Sequence, residues 1–329
     1  MKLLFIVPRL DKASSRYRVI QYLPFLERLG AECTVVELPS GLIARFQLWV
    51  SCQNYNAVVL QKRLLSAWDL FWLRLYAKTL CYDFDDAVML PDSGRANNSS
   101  QTRRKKFARI IKGSDLIIAG NEYLAEHARN AGGDNVSVVN TPIDLERYQV
   151  MSELRGGELV TIGWIGSRST LNYLETIRPA LEWLGANYPN VRLKLISDEF
   201  VDFEHLEVEC IAWSYEKEIE HLNSIDIGIM PLTDDPWSRG KCGFKLLQYM
   251  GVGIPTVCHP VGLNREIVVH GETGYWASTE QEWIDALRSL VDEKTQREAL
   301  GRKGHERVQA CFGVERNAAL LFDELGRVC

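Results

Sequence analysis

The chain has 329 residues, 46% of them hydrophobic and 25% charged, with a formal net charge of −5. That length exceeds one ordinary core and predicts two domains, while the composition excludes a disordered or fibrous chain. The acidic balance argues against a dedicated nucleic-acid binder, which needs a basic excess.

The first segment, "MKLLFIVPRL", has an apolar run only from Leu3 to Val7 before Pro8 and Arg9. It is too short for the apolar region of a signal peptide and reads as a first buried strand. No run reaches the ~20 apolar residues that a membrane span requires. Runs at 32–38, 57–61, 80–84, 115–120 and 136–140 predict further buried parallel strands, with helical stretches such as 18–30, closed by Gly30, between them. After a polar pause at 149–158 containing a Gly pair, strands are predicted at 159–166, 191–197, 207–211, 226–232 and 255–259. Helices are predicted at 170–187, 215–223, 244–251, 279–292 and 294–311. A βαβ succession that pauses once predicts an α/β protein of two Rossmann-like doubly wound halves, joined near residue 150 and facing a central cleft. Ligands then bind at the carboxyl ends of the strands. The eight cysteines are spread without a Cys-x-x-Cys pair, which points to neither zinc nor a disulfide framework and fits a reducing cytosol. The six histidines show no metal-ligand spacing.

In "KASSRYRV" (12–19), Arg16 and Arg18 follow the first strand; they read as contacts for an anionic acceptor or as two solvent-facing arginines opening a helix. "SAWDLFWLRLYA" (66–77) puts Trp68, Phe71, Trp72, Leu75 and Tyr76 on one helical stripe, read as core. "CYDFDDAV" (81–88) crowds Asp83, Asp85 and Asp86 at a strand end, an arrangement that needs a cation, a basic partner or a proton. "RRKKFARIIK" (103–112) reads as a basic amphipathic helix, either solvated and covering the sheet or lying on anionic lipid.

In the second half, "GWIGSRST" (163–170) is a glycine turn after a strand. Gly166 allows close backbone approach, and Ser167 and Arg168 can reach phosphate oxygens. Neither half carries the Gly-x-Gly-x-x-Gly fingerprint of nicotinamide binding. Trp213 follows a strand and reads as a nucleobase neighbour or as core. The richest segment is "DDPWSRGKCGFKLLQYMGVGIPTV" (234–257), where Gly243 opens a helix. Free amides and the dipole at that helix start suit a diphosphate, and Lys241 and Lys245 there ask for an anionic partner.

The stretch "GKCGFKLLQYMGVGIPTVCHPVGLNREIVVHGETGYW" resembles the signature of family 4 retaining glycosyltransferases (glycosyl transferases group 1) of the GT-B fold. "DLIIAGNEYLAEHA", "VNTPIDLERY" and "WIGSRST" resemble the motifs that accompany it, in order, over most of the chain. The resemblance implies an N-terminal acceptor domain (1–150), a C-terminal nucleotide-sugar donor domain (158–312) and a final helix in 313–329 that crosses back to the first. It implies a hexosyltransferase moving sugar from a UDP- or GDP-sugar to a glycan or lipid-linked acceptor with retention, in cell-surface polysaccharide or glycoconjugate synthesis. Lys245 and Lys241 would neutralise the diphosphate, with Gly243 and Phe244 amides at its oxygens and Gly166, Ser167, Arg168, Trp213 and Gln248 around the donor. Asp85, Asp86, Arg16 and Arg18 would serve the acceptor, Asp85 and Asp86 orienting hydroxyls or pairing with Arg16 or Arg18. No metal or cofactor is expected, and the enzyme is expected in the cytoplasm, in possible peripheral contact with the membrane. The family's pair of glutamates falls on Gly240 and Gln248, and its Arg and Lys after the first C-domain strand fall on Ser167 and on no clear lysine. These departures keep two alternatives open, a non-catalytic nucleotide-sugar-binding subunit and a GT-B nucleotide-sugar epimerase.

Overall fold

The structure is a computed structural model that describes residues 1–91, 100–155 and 157–329. It divides into two compact units. The first comprises Met1–Pro142, Asp235–Cys242 and Val314–Cys329; the second comprises Ile143–Asp234 and Gly243–Gly313.

Along Met1–Pro142 run β1 (Lys2–Val7), α1 (Ala13–Arg18), α2 (Leu23–Arg28), β2 (Glu32–Glu37), α3 (Leu42–Ser51), β3 (Ala57–Gln61), α4 (Ala67–Tyr76), β4 (Thr79–Phe84), α5 (Gln101–Lys112), β5 (Leu116–Ala119), α6 (Glu122–Asn130) and β6 (Val136–Val138). The six strands form a parallel sheet in the order β2-β1-β3-β4-β5-β6. β3, β4 and β5 are buried throughout, which is why they read as mainly apolar runs. The order reverses between β1 and β3, so the carboxyl ends of those strands border the unit's natural ligand crevice.

The second unit continues with β7 (Val160–Ile165), α7 (Arg168–Leu171), α8 (Arg178–Asn187), β8 (Val191–Ser197), β9 (Glu207–Ala212), α9 (Glu218–Asn223) and β10 (Ile227–Met230). The chain then returns to the first unit for α10 (Pro236–Arg239). It resumes the second with α11 (Phe244–Gly251), β11 (Thr256–Cys258), α12 (Asn264–Ile267), β12 (Gly274–Trp276), α13 (Glu280–Asp292) and α14 (Lys294–Phe312). This sheet is also parallel, in the order β12-β11-β10-β7-β8-β9, and reverses between β7 and β10. The last helix, α15 (Val314–Gly326), belongs to the first unit: Ala318, Leu321 and Leu325 pack into the core of Leu3, Val19 and Leu26. Among the described residues no helix is long and apolar enough to cross a membrane.

Several expectations are corrected. The single helix over 18–30 is three pieces, because Pro24 lacks an amide hydrogen and sits where a new helix starts; a 3₁₀ turn at Ile20–Tyr22 separates α1 from α2. Pro179 likewise starts α8 afresh inside the span expected to be one helix. The division between halves falls after Pro142, not near 150. Ile143 donates its amide to the Phe312 carbonyl at 2.9 Å, and the Tyr148 hydroxyl donates to Glu218 at 2.6 Å, which ties this stretch to the second unit. Of the Gly pair in the polar pause, Gly156 lies outside the described residues.

The aromatic stripe of α4 is not core. Leu70 and Leu73 face inward, while Trp68, Phe71 and Leu75 are 44%, 61% and 59% exposed. The helix offers two apolar faces at 3.6-residue spacing, and packing uses the one with the smaller side chains. On α5, Phe107, Ile110 and Ile111 are buried, and Arg104, Lys105, Arg109 and Lys112 face solvent.

Candidate active site

In the second unit the crevice between β7 and β10 is bordered by the glycine turn after β7 and by the amino end of α11. Gly243 caps α11 in the left-handed conformation, φ 63°, and a Cβ there would stand 2.3 Å from Cδ1 of Ile267. Only glycine meets both demands. No acidic residue lies in the first turn of α11; Lys245 does, against the helix dipole.

The Lys245 ammonium lies 4.1 Å from the centroid of the buried Trp164 ring and 3.5 Å from Oγ1 of Thr170. A Cβ on Gly166 would come within 2.8 Å of it. The two segments that the sequence offered separately as phosphate sites therefore meet at one ammonium. Ser167 caps α7 in a reciprocal box with Thr170, which fixes the turn. Arg168 is exposed, with its guanidinium 2.9 Å from Glu199 and its amide donating to Asp198 at 2.6 Å. Phe244 follows Gly243 and is half-buried.

Gln248 is not an open donor contact. It is 4% exposed and donates from Nε2 to the Tyr148 hydroxyl at 3.1 Å. Tyr148 donates in turn to Glu218, and the Trp213 indole donates to the other Glu218 oxygen at 2.7 Å. Glu218 is 1% exposed, a buried carboxylate whose charge is met by two neutral donors and by Arg147 at 3.8 Å. It thereby fixes the edge of Trp213. Tyr148 and Glu218 were invisible in the sequence, because they join residues 70 positions apart.

His259, after β11, accepts the Leu232 amide at Nδ1, 3.1 Å away. Burial pulls its pKa down to about 4. Because the unfolded chain takes up this proton first, stability is full above pH ~6.5 and falls as pH drops toward ~4. Allowing for partial exposure, we expect a loss of about 2 kcal/mol across that window. Urea midpoints at both ends, for the native chain and for His259→Asn, measure it; equal losses in the two would refute the assignment.

The first unit's crevice holds an ion cluster instead. Arg18, 2% exposed, grips both oxygens of Asp83, Nε donating at 3.3 Å, and donates to the Val139 carbonyl at 2.6 Å. Burial opposes charge on both partners; Arg18 nonetheless stays protonated, and its fork holds the Asp83 carboxylate. Arg18 is thus a structural residue, not a contact for an acceptor. Arg16 is half-buried and donates to the Asp11 carbonyl at 2.7 Å.

Asp85 and Asp86 pair with neither arginine. Both meet Lys62, with Asp85 at 3.0 Å and Asp86 in direct hydrogen bond. Burial works against the Lys62 ammonium, but the two carboxylates outweigh it and raise its pKa. Burial works against Asp86 too, and Lys62 and Lys241 together hold its pKa low. Lys62 directly follows β3 with φ 59°, the only non-glycine residue at positive φ among those described. A lysine held there is strained, and the paired aspartates hold it. The crowding at 83–86 is therefore relieved by basic partners. Among the described residues no group of three or more His, Cys, Asp or Glu could hold a metal ion.

Lys241 belongs to this unit and not to that of Lys245. Its segment is tied down by Asn121, which donates to the Gly240 carbonyl at 3.2 Å, and by Cys242, whose thiol donates to the Asp85 carbonyl at 3.3 Å. Gly240 has no room for a side chain: a Cβ would stand 2.8 Å from that of Ala87.

Three comparisons bear on this geometry. Residues 169–293 match the family model described as Glycosyl transferases group 1. TuaH of Bacillus subtilis (strain 168), assigned as a teichuronic acid biosynthesis glycosyltransferase, is 27% identical over 201 residues. The match takes in 54% of this chain and 49% of TuaH, so it spans about half the length of that relative. Among solved structures, the sucrose-phosphate synthase of Thermosynechococcus elongatus superposes with a TM-score of 0.79 at 15% identity, covering 99% of this chain and 98% of its own. Anabaena HepE, solved with UDP and glucose, does so with a TM-score of 0.76 at 14% identity, covering 99% and 100%. At such identities the superpositions speak for the fold. The chain thus matches the Glycosyl transferases group 1 model over residues 169–293 and has the two-domain GT-B fold of these structures.

Proposed function

We propose that the protein transfers a hexose from a UDP- or GDP-sugar to a glycan or lipid-linked acceptor, with retention, in the synthesis of cell-surface polysaccharide. The observation that carries this reading is the meeting of the Gly166 turn, the α11 amino end and the Lys245 ammonium. Amides of Gly243 and Phe244 and the Lys245 charge would receive the donor diphosphate, and Trp213, held by Glu218, would border the base. As the bond from the anomeric carbon to the β-phosphate oxygen breaks, negative charge grows on the diphosphate. A fixed ammonium and fixed amides stabilise that charge more than the ground state. The acceptor oxygen attacks the oxocarbenium-like carbon from the same face, and its proton passes to the departing phosphate. Asp85 and Asp86 would orient the acceptor hydroxyl, with Lys62 setting their position.

The assignment includes a metal-independent reaction in the cytoplasm. TuaH and the UDP complexes of HepE favour a nucleotide-sugar donor by analogy. A melting-temperature panel with UDP, GDP, ADP, TDP and CMP, each with magnesium and with chelator, tests the donor site. Ligand that binds only the folded state at a hundred times its Kd stabilises by about 2.7 kcal/mol. One diphosphate is expected to raise the melting temperature, chelator or not. A shift that needs magnesium would overturn the metal-independent mechanism, and no shift would overturn the donor site. Gly240 favours one second reading, a binding subunit without turnover; nucleotide binding with no transfer to any acceptor would select it.

A further inference from the structure

The face that α3 and α4 turn outward in the first unit is apolar without being core. On α3, Leu42 and Ile43 are 67% and 78% exposed, and Ile43 stands one helical turn from Phe46. Phe46 packs edge-on against Trp72 of α4, ring centroids 5.0 Å apart, and Trp72 meets Trp68 at 6.2 Å and Phe71 at 5.3 Å. A continuous apolar surface thus runs from Ile43 to Phe71. Single exposed apolar residues are ordinary, but a contiguous aromatic patch is not.

Its border is basic. Phe71 and Leu75 line one groove with Arg109, Lys112 and Arg74, of which Arg74 is paired with Asp115 at 2.8 Å. α5, beside it, carries six basic residues, Arg103, Arg104, Lys105, Lys106, Arg109 and Lys112, and no acidic one, in a chain of net charge −5. Arg103 and Arg104 stand in its first turn, where the dipole already presents positive charge, so the local field calls for an anionic surface.

From this juxtaposition we infer that the α3–α4–α5 face docks the protein on a lipid bilayer containing anionic headgroups. Leu42, Ile43, Trp68 and Phe71 enter the acyl boundary, and the α5 side chains meet the headgroups, as interfacial elements with an apolar face and a basic border do. Leu42 and Ile43 of α3 are more exposed than Trp68, Phe71 and Leu75, which suits a fluid phase that closes around them. A second copy would suit the face poorly, because a two-fold contact sets basic border against basic border. This inference is independent of the transferase reading, since no residue of the donor site takes part.

The test is cosedimentation of the full chain with vesicles of phosphatidylglycerol and phosphatidylcholine in equal parts, and of phosphatidylcholine alone, at low and high salt. Binding to the anionic vesicles is expected, weakened by salt and much lower on neutral ones. Each basic residue near an anionic surface contributes roughly fivefold, so Arg109→Ala with Lys112→Ala should weaken binding roughly 25-fold. Leu42→Ser, Ile43→Ser and Phe71→Ser together, all at exposed positions, should abolish it. The melting shift with UDP should survive in both variants, which separates this inference from the donor assignment. Equal binding to neutral vesicles, no binding at all, or undiminished binding in either variant would overturn it. So would a dimer in solution that the serine variant turns into a monomer.

Discussion

Replacing Lys245 by alanine is expected to lower turnover by about 10³-fold or more, with the melting temperature nearly unchanged. The ammonium stands over the Trp164 ring, near Thr170 and the Gly166 turn, at the amino end of α11 where the donor diphosphate is proposed to bind. Removing one fixed donor from developing negative charge costs on the order of 10²–10³ in rate, and a full charge beside a diphosphate is worth at least as much. The loss should fall on kcat more than on KM, because the charge it answers grows toward the transition state. Lys245→Arg should recover part of it. Steady-state kinetics with the diphosphate sugar selected by the melting panel would decide; a Lys245→Ala enzyme within tenfold of the native rate would remove Lys245 from the mechanism.

Asp83→Ala should cost the fold about 3–5 kcal/mol, the usual range for orphaning a buried charge. Arg18 would remain, 2% exposed, keeping its hydrogen bond to the Val139 carbonyl but losing its bidentate carboxylate. Because the cost is mainly the stranded charge, Arg18→Met with Asp83→Leu should recover part of it. Urea unfolding of the three chains measures this. A single-variant loss below ~1 kcal/mol, or a double variant worse than the single, would show that the pair does not hold β4 against α1.

These effects separate what could be read in the sequence from what could not. The strands were legible because β1, β3 and β5 are short apolar runs flanked by polar turns, and a succession of βα units admits few topologies. β12 escaped because Gly274–Trp276 is three residues long and is a strand only through its pairing with β11. The α11 amino end was legible because glycine, lysine and helix are neighbours along the chain. Lys62 was not: it follows β3 as an ordinary polar residue, and nothing local says that Asp85 and Asp86 lie against it. Nor could the sequence tell that Lys241 and Lys245, four positions apart, belong to different units. Asn121 holds the carbonyl of Gly240 in the first unit, a contact across 119 positions.

Gly240 also bears on how such a chain can change over generations. A side chain cannot enter this position by one substitution, since even a methyl group would collide with Ala87. The loop after β4 would first have to withdraw, and that loop holds Asp85 and Asp86 against Lys62. The glycine and the tight closure of the loop are therefore coupled, each making the other harder to change. Lineages that share the closed loop should share the glycine.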